Sequence, residues 1–132
     1  MQDQLVLADP ALLRELAALS AAITVACNCR ASDSSGWISL PLSLPETQLA
    51  DIATLIADPY DEPTFTEYHP DGTRYGSPEA PVAPGWYPYN RCNIARCTQC
   101  GRHYLRYTEA GGYFVDRRIR ALDAPQRVVE AQ

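Results

Sequence analysis

The thirteen residues from Arg91 to His103 hold three of the chain's five cysteines and one of its two histidines. Cys97 and Cys100 are two residues apart, a spacing that lets both thiolates face one side of a tight turn and close on one ion. Gly101 follows at once, and a backbone that wraps a metal usually turns through φ > 0 there, which glycine takes without strain. Upstream, Cys27 and Cys29 form a second close pair with one residue between them. Four thiolates from two pairs complete a tetrahedral site. This predicts Cys27, Cys29, Cys97 and Cys100 as ligands of a structural Zn2+, with Cys92 and His103 as substitutes if either upstream thiol points away. Arg96 and Arg102 sit where they could offset the negative charge of such a site. A closed set of four protein ligands leaves no position for substrate, so the expected metal is structural. The competing reading is ordinary buried thiols, a common fate of free cysteine, but two close-spaced pairs in so short a chain speak against it.

The run Cys97-Thr98-Gln99-Cys100-Gly101-Arg102, with a hairpin directly behind it, resembles the knuckle of zinc ribbons and rubredoxin-type sites over residues 97–120. The resemblance implies a zinc-stapled β-ribbon. That family carries a second two-residue knuckle, where this chain offers Cys27-Asn28-Cys29. A rival lies in Cys92-x4-Cys97-x2-Cys100, which is similar to the loop of plant-type [2Fe–2S] ferredoxins and implies an iron–sulfur electron carrier. No cysteine follows Cys100 to complete that set.

A chain of 132 residues with 46% hydrophobic residues fits one domain with a modest core. No apolar leader with a cleavage site opens it, and no run approaches the ~20 apolar residues of a membrane span. A cytoplasmic protein with reduced thiols is expected, in which metal ligation is favoured over disulfides. All eleven basic residues are arginines. Residues 1–90 carry three of them against twelve acids, a net −9, while residues 91–132 carry eight against four, a net +4. A chain with net charge −5 is not built to coat nucleic acid without specificity.

The elements that must position the thiols read as follows. Asp9-Pro10 starts a helix through Leu19, with aspartate as cap, proline in the first turn and Leu12, Leu16 and Leu19 on one face. Residues 22–27 and 37–40 read as strands of a hairpin around Ser32–Gly36. Ser43-Leu44-Pro45-Glu46 is a capping-box signal that opens a second helix through Ile56, with Leu49, Ile52 and Ile56 inward. Residues 57–91, with seven prolines and five tyrosines, read as an ordered loop, with short strands at 65–68 and 73–75 around the turn His69–Gly72. Tyr104–Tyr107 and Tyr113–Ile119 are predicted strands joined at Glu109–Gly112. The tail from Ala124 is left to dock as a short helix or strand, or to fray. The expected fold is α+β: two helices on a small antiparallel sheet with a zinc-stapled C-terminal ribbon hairpin. Its parts are a helix–hairpin–helix portion (1–56), a Pro/Tyr-rich loop (57–91), and the metal knuckle with its hairpin (92–123).

No phosphate-cradling glycine loop, nucleophile elbow or HExxH run occurs. Cys92 with His103, and the run Glu67–Gly72, contain catalytic residue types without a spacing that positions them. The function expected is therefore a small non-catalytic zinc protein that binds a protein partner, of the immunity or antitoxin type that occludes a basic toxin domain. Asp58, Asp61, Glu62, Tyr68, Trp86 and Tyr87 are the candidate contact residues. The alternative is a nucleic-acid-binding zinc-ribbon regulator, which would use Arg102, Arg106, Arg117 and Arg118 beside Tyr104, Tyr107 and Tyr113, with Arg120 on the same hairpin.

Overall fold

The computed structural model describes residues 5–110 and 115–130. Asp9 caps the helix as expected, its carboxylate accepting from the Leu12 N–H at 2.8 Å, a bond worth about 1 kcal/mol. Helix α1 runs Pro10–Ala21. Its inward face is Leu13, Leu16, Ala17 and Ser20, with Leu12 packed at the margin; Leu19 points out.

Six strands form one sheet: β1 (Val6–Leu7), β2 (Ile38–Ser39), β3 (Leu49–Thr54), β4 (Asn93–Cys97), β5 (His103–Ala110) and β6 (Val115–Ala121), in the order β1-β3-β4-β5-β6-β2. All neighbours are antiparallel except β1 with β3. The fold is thus α+β with one α-helix among the described residues. The second predicted helix does not form. Glu46–Gln48 form a single 3-10 turn, and Leu49–Thr54 form β3. Leu49, Ile52 and Ile56 do sit at helical spacing, yet the buried residues are Leu49, Ala53 and Leu55. The register shifts between Asp51 and Ala53. That bulge leaves Ile52 partly exposed and turns the strand's inward side from one face of the sheet to the other.

The predicted hairpin of 22–27 with 37–40 does not form. Residues 22–27 run as irregular chain, and Ile38–Ser39 pairs with β6 instead. A β-branched run becomes a strand only where a partner offers its hydrogen bonds, and here the open edge beside 38–39 belongs to β6. Residues 65–68 and 73–75 are also not strands. Seven prolines in 57–91 remove the N–H donors a ladder needs, and the segment docks by single bonds such as Tyr87 N–H to Thr66 O at 2.9 Å. The β5–β6 pair matches expectation, in register from Tyr104↔Ala121 to Ala110↔Val115. Tyr113 and the turn residues Gly111 and Gly112 lie outside the described residues.

Both faces of the sheet are covered. On one, α1 and the tail pack over Ile94, Leu105 and Leu122, with Trp37 ringed by Tyr75, Tyr89 and Tyr107 at 5.0–6.1 Å. The tail docks through the turn Pro125–Arg127 and a bridge from Val128 to Val82. Trp37 reaches this cluster because Gly36 passes against the Gly76 carbonyl, where a Cβ would stand 2.1 Å from the oxygen. On the other face, Leu49, Ala95, Cys97, Tyr104, Ile119 and Ala121 are met by the irregular chain bearing Cys29 and Leu44.

Candidate metal centre

Cys97 ends β4 and Cys100 lies in the turn to β5. The turn closes through Gly101 N–H to Cys97 O at 2.9 Å and Cys97 N–H to Arg102 O at 2.8 Å. Gly101 takes φ +88° there, the positive value for which glycine is suited. Period-2 alternation puts Ala95 and Cys97 on the face opposite Ile94. The chain leaving α1 crosses that face, and Cys27 and Cys29 open a single 3-10 turn above it.

The four sulfurs of Cys27, Cys29, Cys97 and Cys100 lie within 4.8 Å of one another. Cys27 Sγ is 3.7 Å from Cys97 Sγ, and Cys29 Sγ is 3.5 Å from Cys100 Sγ. A disulfide requires about 2.05 Å, so these are free thiols. A tetrahedron of sulfurs about 2.3 Å from one ion has edges of roughly 3.8 Å. The two cross-pair distances match such an edge, so the cluster is shaped to hold a metal ion.

The surroundings supply what thiolates need. Gln48 Nε2 donates toward Cys97 Sγ at 3.5 Å and Cys27 Sγ at 3.7 Å, and the Tyr104 hydroxyl donates to Cys29 Sγ at 3.0 Å. Burial alone would push the Cys97 thiol up. The Gln48 amide and the N–H groups of Cys100 and Gln99 outweigh it and bring Cys97 down to about 6. Burial pushes the Cys29 thiol up, against the Tyr104 hydroxyl, and the neighbouring thiols add to the rise. A metal ion would bind these sulfurs as thiolates, releasing their protons.

Arg102 stands beside the sulfurs as a buried cation. It is 92% buried, donates from Nη2 to Ile23 O at 3.1 Å, and has no hydrogen-bond partner for Nη1. Its desolvation works against ionisation, yet the Cys100 and Cys29 sulfurs raise its pKa above the ordinary arginine value. A buried guanidinium needs an anion, and four thiolates around a divalent metal would be one. Arg96, the other arginine assigned to this charge, is exposed and lies against Gly101.

The two substitute ligands stand elsewhere. Cys92 is fully buried in the α1-side core, its thiol against Pro88 O at 3.2 Å, with burial raising its pKa. The ferredoxin-like trio Cys92, Cys97 and Cys100 is therefore not assembled. His103 binds Leu16 O through Nδ1 at 2.9 Å and is held near neutral form by burial. Cys92 and His103 thus belong to the core, and no nucleophile–base pair is formed between them. In the run 67–72, His69 bridges Glu67 at 2.7 Å and Thr73 at 2.8 Å, a turn tied by its own side chains.

Gln48 and Tyr104 were not assigned to the site from sequence. Gln48 reaches the sulfurs because β3 pairs Leu49 with Cys97 and its own carbonyl accepts Thr98 N–H at 2.8 Å. No local pattern marks either residue. Replacing Gln48 with leucine removes the amide from two sulfurs, and metal affinity is expected to fall about 10–100-fold. Competition with a chromophoric chelator would read this, and an unchanged affinity would mean the amide is bystander packing.

The expected arginine surface does not form. Arg102, Arg120, Tyr104 and Tyr107 are buried. Arg106 pairs with Asp51 at 2.9 Å, Arg117 with Glu46 at 2.9 Å, and Arg118 with Glu109 at 3.2 Å and Asp116 at 2.7 Å. Arg106 and Arg117 face an open groove of about 450 Å³ shared with Asp51 and Glu46. Of the partner-contact candidates, Asp58, Asp61 and Glu62 are exposed. Tyr68, Trp86 and Tyr87 are half-buried: Tyr68 packs on Trp86 at 5.4 Å, and Tyr87 on Phe65 at 5.5 Å. Among the described residues no helix is long and apolar enough to cross a membrane. No family model matches the chain, and neither a curated protein nor a solved structure is significantly similar to it.

Proposed function

We propose that this is a small, non-catalytic zinc protein that acts by binding a protein partner, in the manner of an immunity or antitoxin-type inhibitor of a basic toxin domain. The observation that carries the metal is the meeting of four sulfurs, from segments about seventy residues apart, within 4.8 Å. Tetrahedral thiolate sets suit zinc. Four protein ligands fill such an ion's positions, so the metal holds the fold instead of meeting a substrate. A reducing cytoplasm, where thiols stay free to ligate, suits this reading.

The partner reading draws on charge: the acids at 58–62 stand exposed. The nucleic-acid reading draws less, because three of its four arginines are ion-paired and the fourth is buried beside the thiols. A single ion between four close sulfurs also fits better than a bridged [2Fe–2S] pair.

The test is elemental analysis with an absorption spectrum on protein purified without added metal. One zinc per chain and no colour is the expected result. Iron with visible bands would turn the reading to electron transfer. Protein that carries no metal would end the proposal and leave the cysteines as core.

A further inference from the structure

We infer that residues 57–67 form the docking surface, and that the partner meets it with a lysine- or arginine-rich polypeptide face. This rests on the reading of the chain as a partner-binding protein and adds where and with what chemistry it binds. Residues 57–90 hold six acids and one arginine, a net −5, which is the net charge of the entire chain. The rest is neutral, ten acids against ten arginines, and five of those arginines are tied to acids at 2.7–3.2 Å. Asp58, Asp61 and Glu62 are in no ion pair among the described residues. Residues 57–67 hold four of those six acids and no arginine, and only Glu67 among the four is paired, with His69.

Among the described residues, this segment carries the most exposed large aromatics, Tyr60 at 95% and Phe65 at 63%. These, and not Tyr68, Trp86 or Tyr87, are the aromatics free to enter a partner. Phe65 is held in place. The Arg91 guanidinium lies 4.0 Å over its ring and donates to Pro63 O at 2.8 Å. Asn90 Nδ2 donates to Thr64 O at 2.9 Å, and Tyr87 N–H to Thr66 O at 2.9 Å. An aromatic fixed before binding loses little entropy on docking, and such residues dominate interface energies. The unpaired acids earlier in the same segment steer a cationic partner and repel nucleic acid and anionic lipid.

Other occupants fit less well. The cysteine set is the one metal-competent cluster among the described residues, so these carboxylates do not converge on a divalent cation. A second copy offers a basic end whose hairpin arginines are largely engaged already.

The probe is a lysine- and arginine-rich peptide with one central phenylalanine, titrated into the zinc-analysed protein and followed by amide NMR. Its glutamate counterpart is the control. Expected are shifts concentrated at 57–67, an affinity that drops about tenfold or more between low and physiological salt, and no shifts with the control. Asp58→Asn/Asp61→Asn/Glu62→Gln should cost about tenfold or more. Phe65→Ser, which leaves the charge intact, should cost about fivefold or more. Shifts spread over all acids, indifference to either variant, calcium-induced shifts at these acids, or a dimer that Phe65→Ser dissolves would each overturn the inference. Zinc content separates the failures. Zinc-loaded protein that binds the peptide elsewhere sinks this surface alone; metal-free protein that binds at 57–67 sinks the zinc reading alone.

Discussion

Stripping the metal with a chelator, or replacing Cys97 with serine, is expected to abolish the cooperative fold. The thiol-bearing chain after α1 has no strand of its own until Ile38 and crosses the sheet as irregular structure. Apart from the four sulfurs it is held at scattered points: Tyr104 to Cys29, Gln48 to Asn28, Arg102 to Ile23 O, Arg30 to Asp123, and Ala121 N–H and Arg120 to Ser34 O and Ser35 O. A structural zinc contributes about 10–16 kcal/mol, comparable to the ~5–15 kcal/mol stability of a whole domain. Burial of Cys97, Tyr104 and Ile119 depends on that chain staying down. Thermal melts with and without chelator, read by near-UV circular dichroism, would measure the loss. Cys92→Ala is the control. It trims a fully buried thiol on the opposite face and should lower stability by about 1–2 kcal/mol while the metal stays bound. A chelated protein that still melts sharply near its starting temperature would show that the sulfurs pack and do not staple.

Arg120→Met should be the most damaging substitution away from the metal. Arg120 is 2% exposed, and no carboxylate is among its hydrogen-bond partners. Its guanidinium donates to Ser35 O at 3.2 Å, Pro78 O at 3.1 Å, Ala80 O at 2.9 Å and the Tyr89 hydroxyl. It thus ties the segment before β2, the proline-rich loop and the turn before β4 to β6. Bonds to a charged group contribute about 1.5–3 kcal/mol each, while burying the cation costs several kcal/mol. With four acceptors the bonds win, and the variant should lose about 3 kcal/mol because methionine leaves those oxygens unsatisfied. The denaturant midpoint measures this. A midpoint at the wild-type value would mean that desolvation cancels the bonds.

The features that could be read from the chain are those set by residues close in sequence. Asp9-Pro10 starts a helix because cap and proline act within one turn. Cys97-x2-Cys100-Gly101 forms a tight turn because its closing bonds join residues only four and five apart. The β5–β6 pair is adjacent and alternating. The errors have one cause as well. Leu49, Ile52 and Ile56 suit a helix or a bulged strand equally, and the choice falls to β4, whose free edge takes Leu49–Thr54. Residues 22–27 have strand composition and no free edge to join. Arg102, Arg106, Arg117, Arg118 and Arg120 look alike in sequence, yet the fold buries two and pairs the others with acids.

By itself, then, the sequence determined a thiol-rich knuckle with a glycine behind it, a capped first helix, a C-terminal hairpin and an acidic middle segment. Each follows from local backbone preference or from composition. The tertiary structure decided that Cys27 and Cys29 meet Cys97 and Cys100, that Gln48, Tyr104 and Arg102 surround the sulfurs, and that Cys92 and His103 do not. Those outcomes depend on sheet register, and register is fixed by which faces must be buried across strands far apart in the chain.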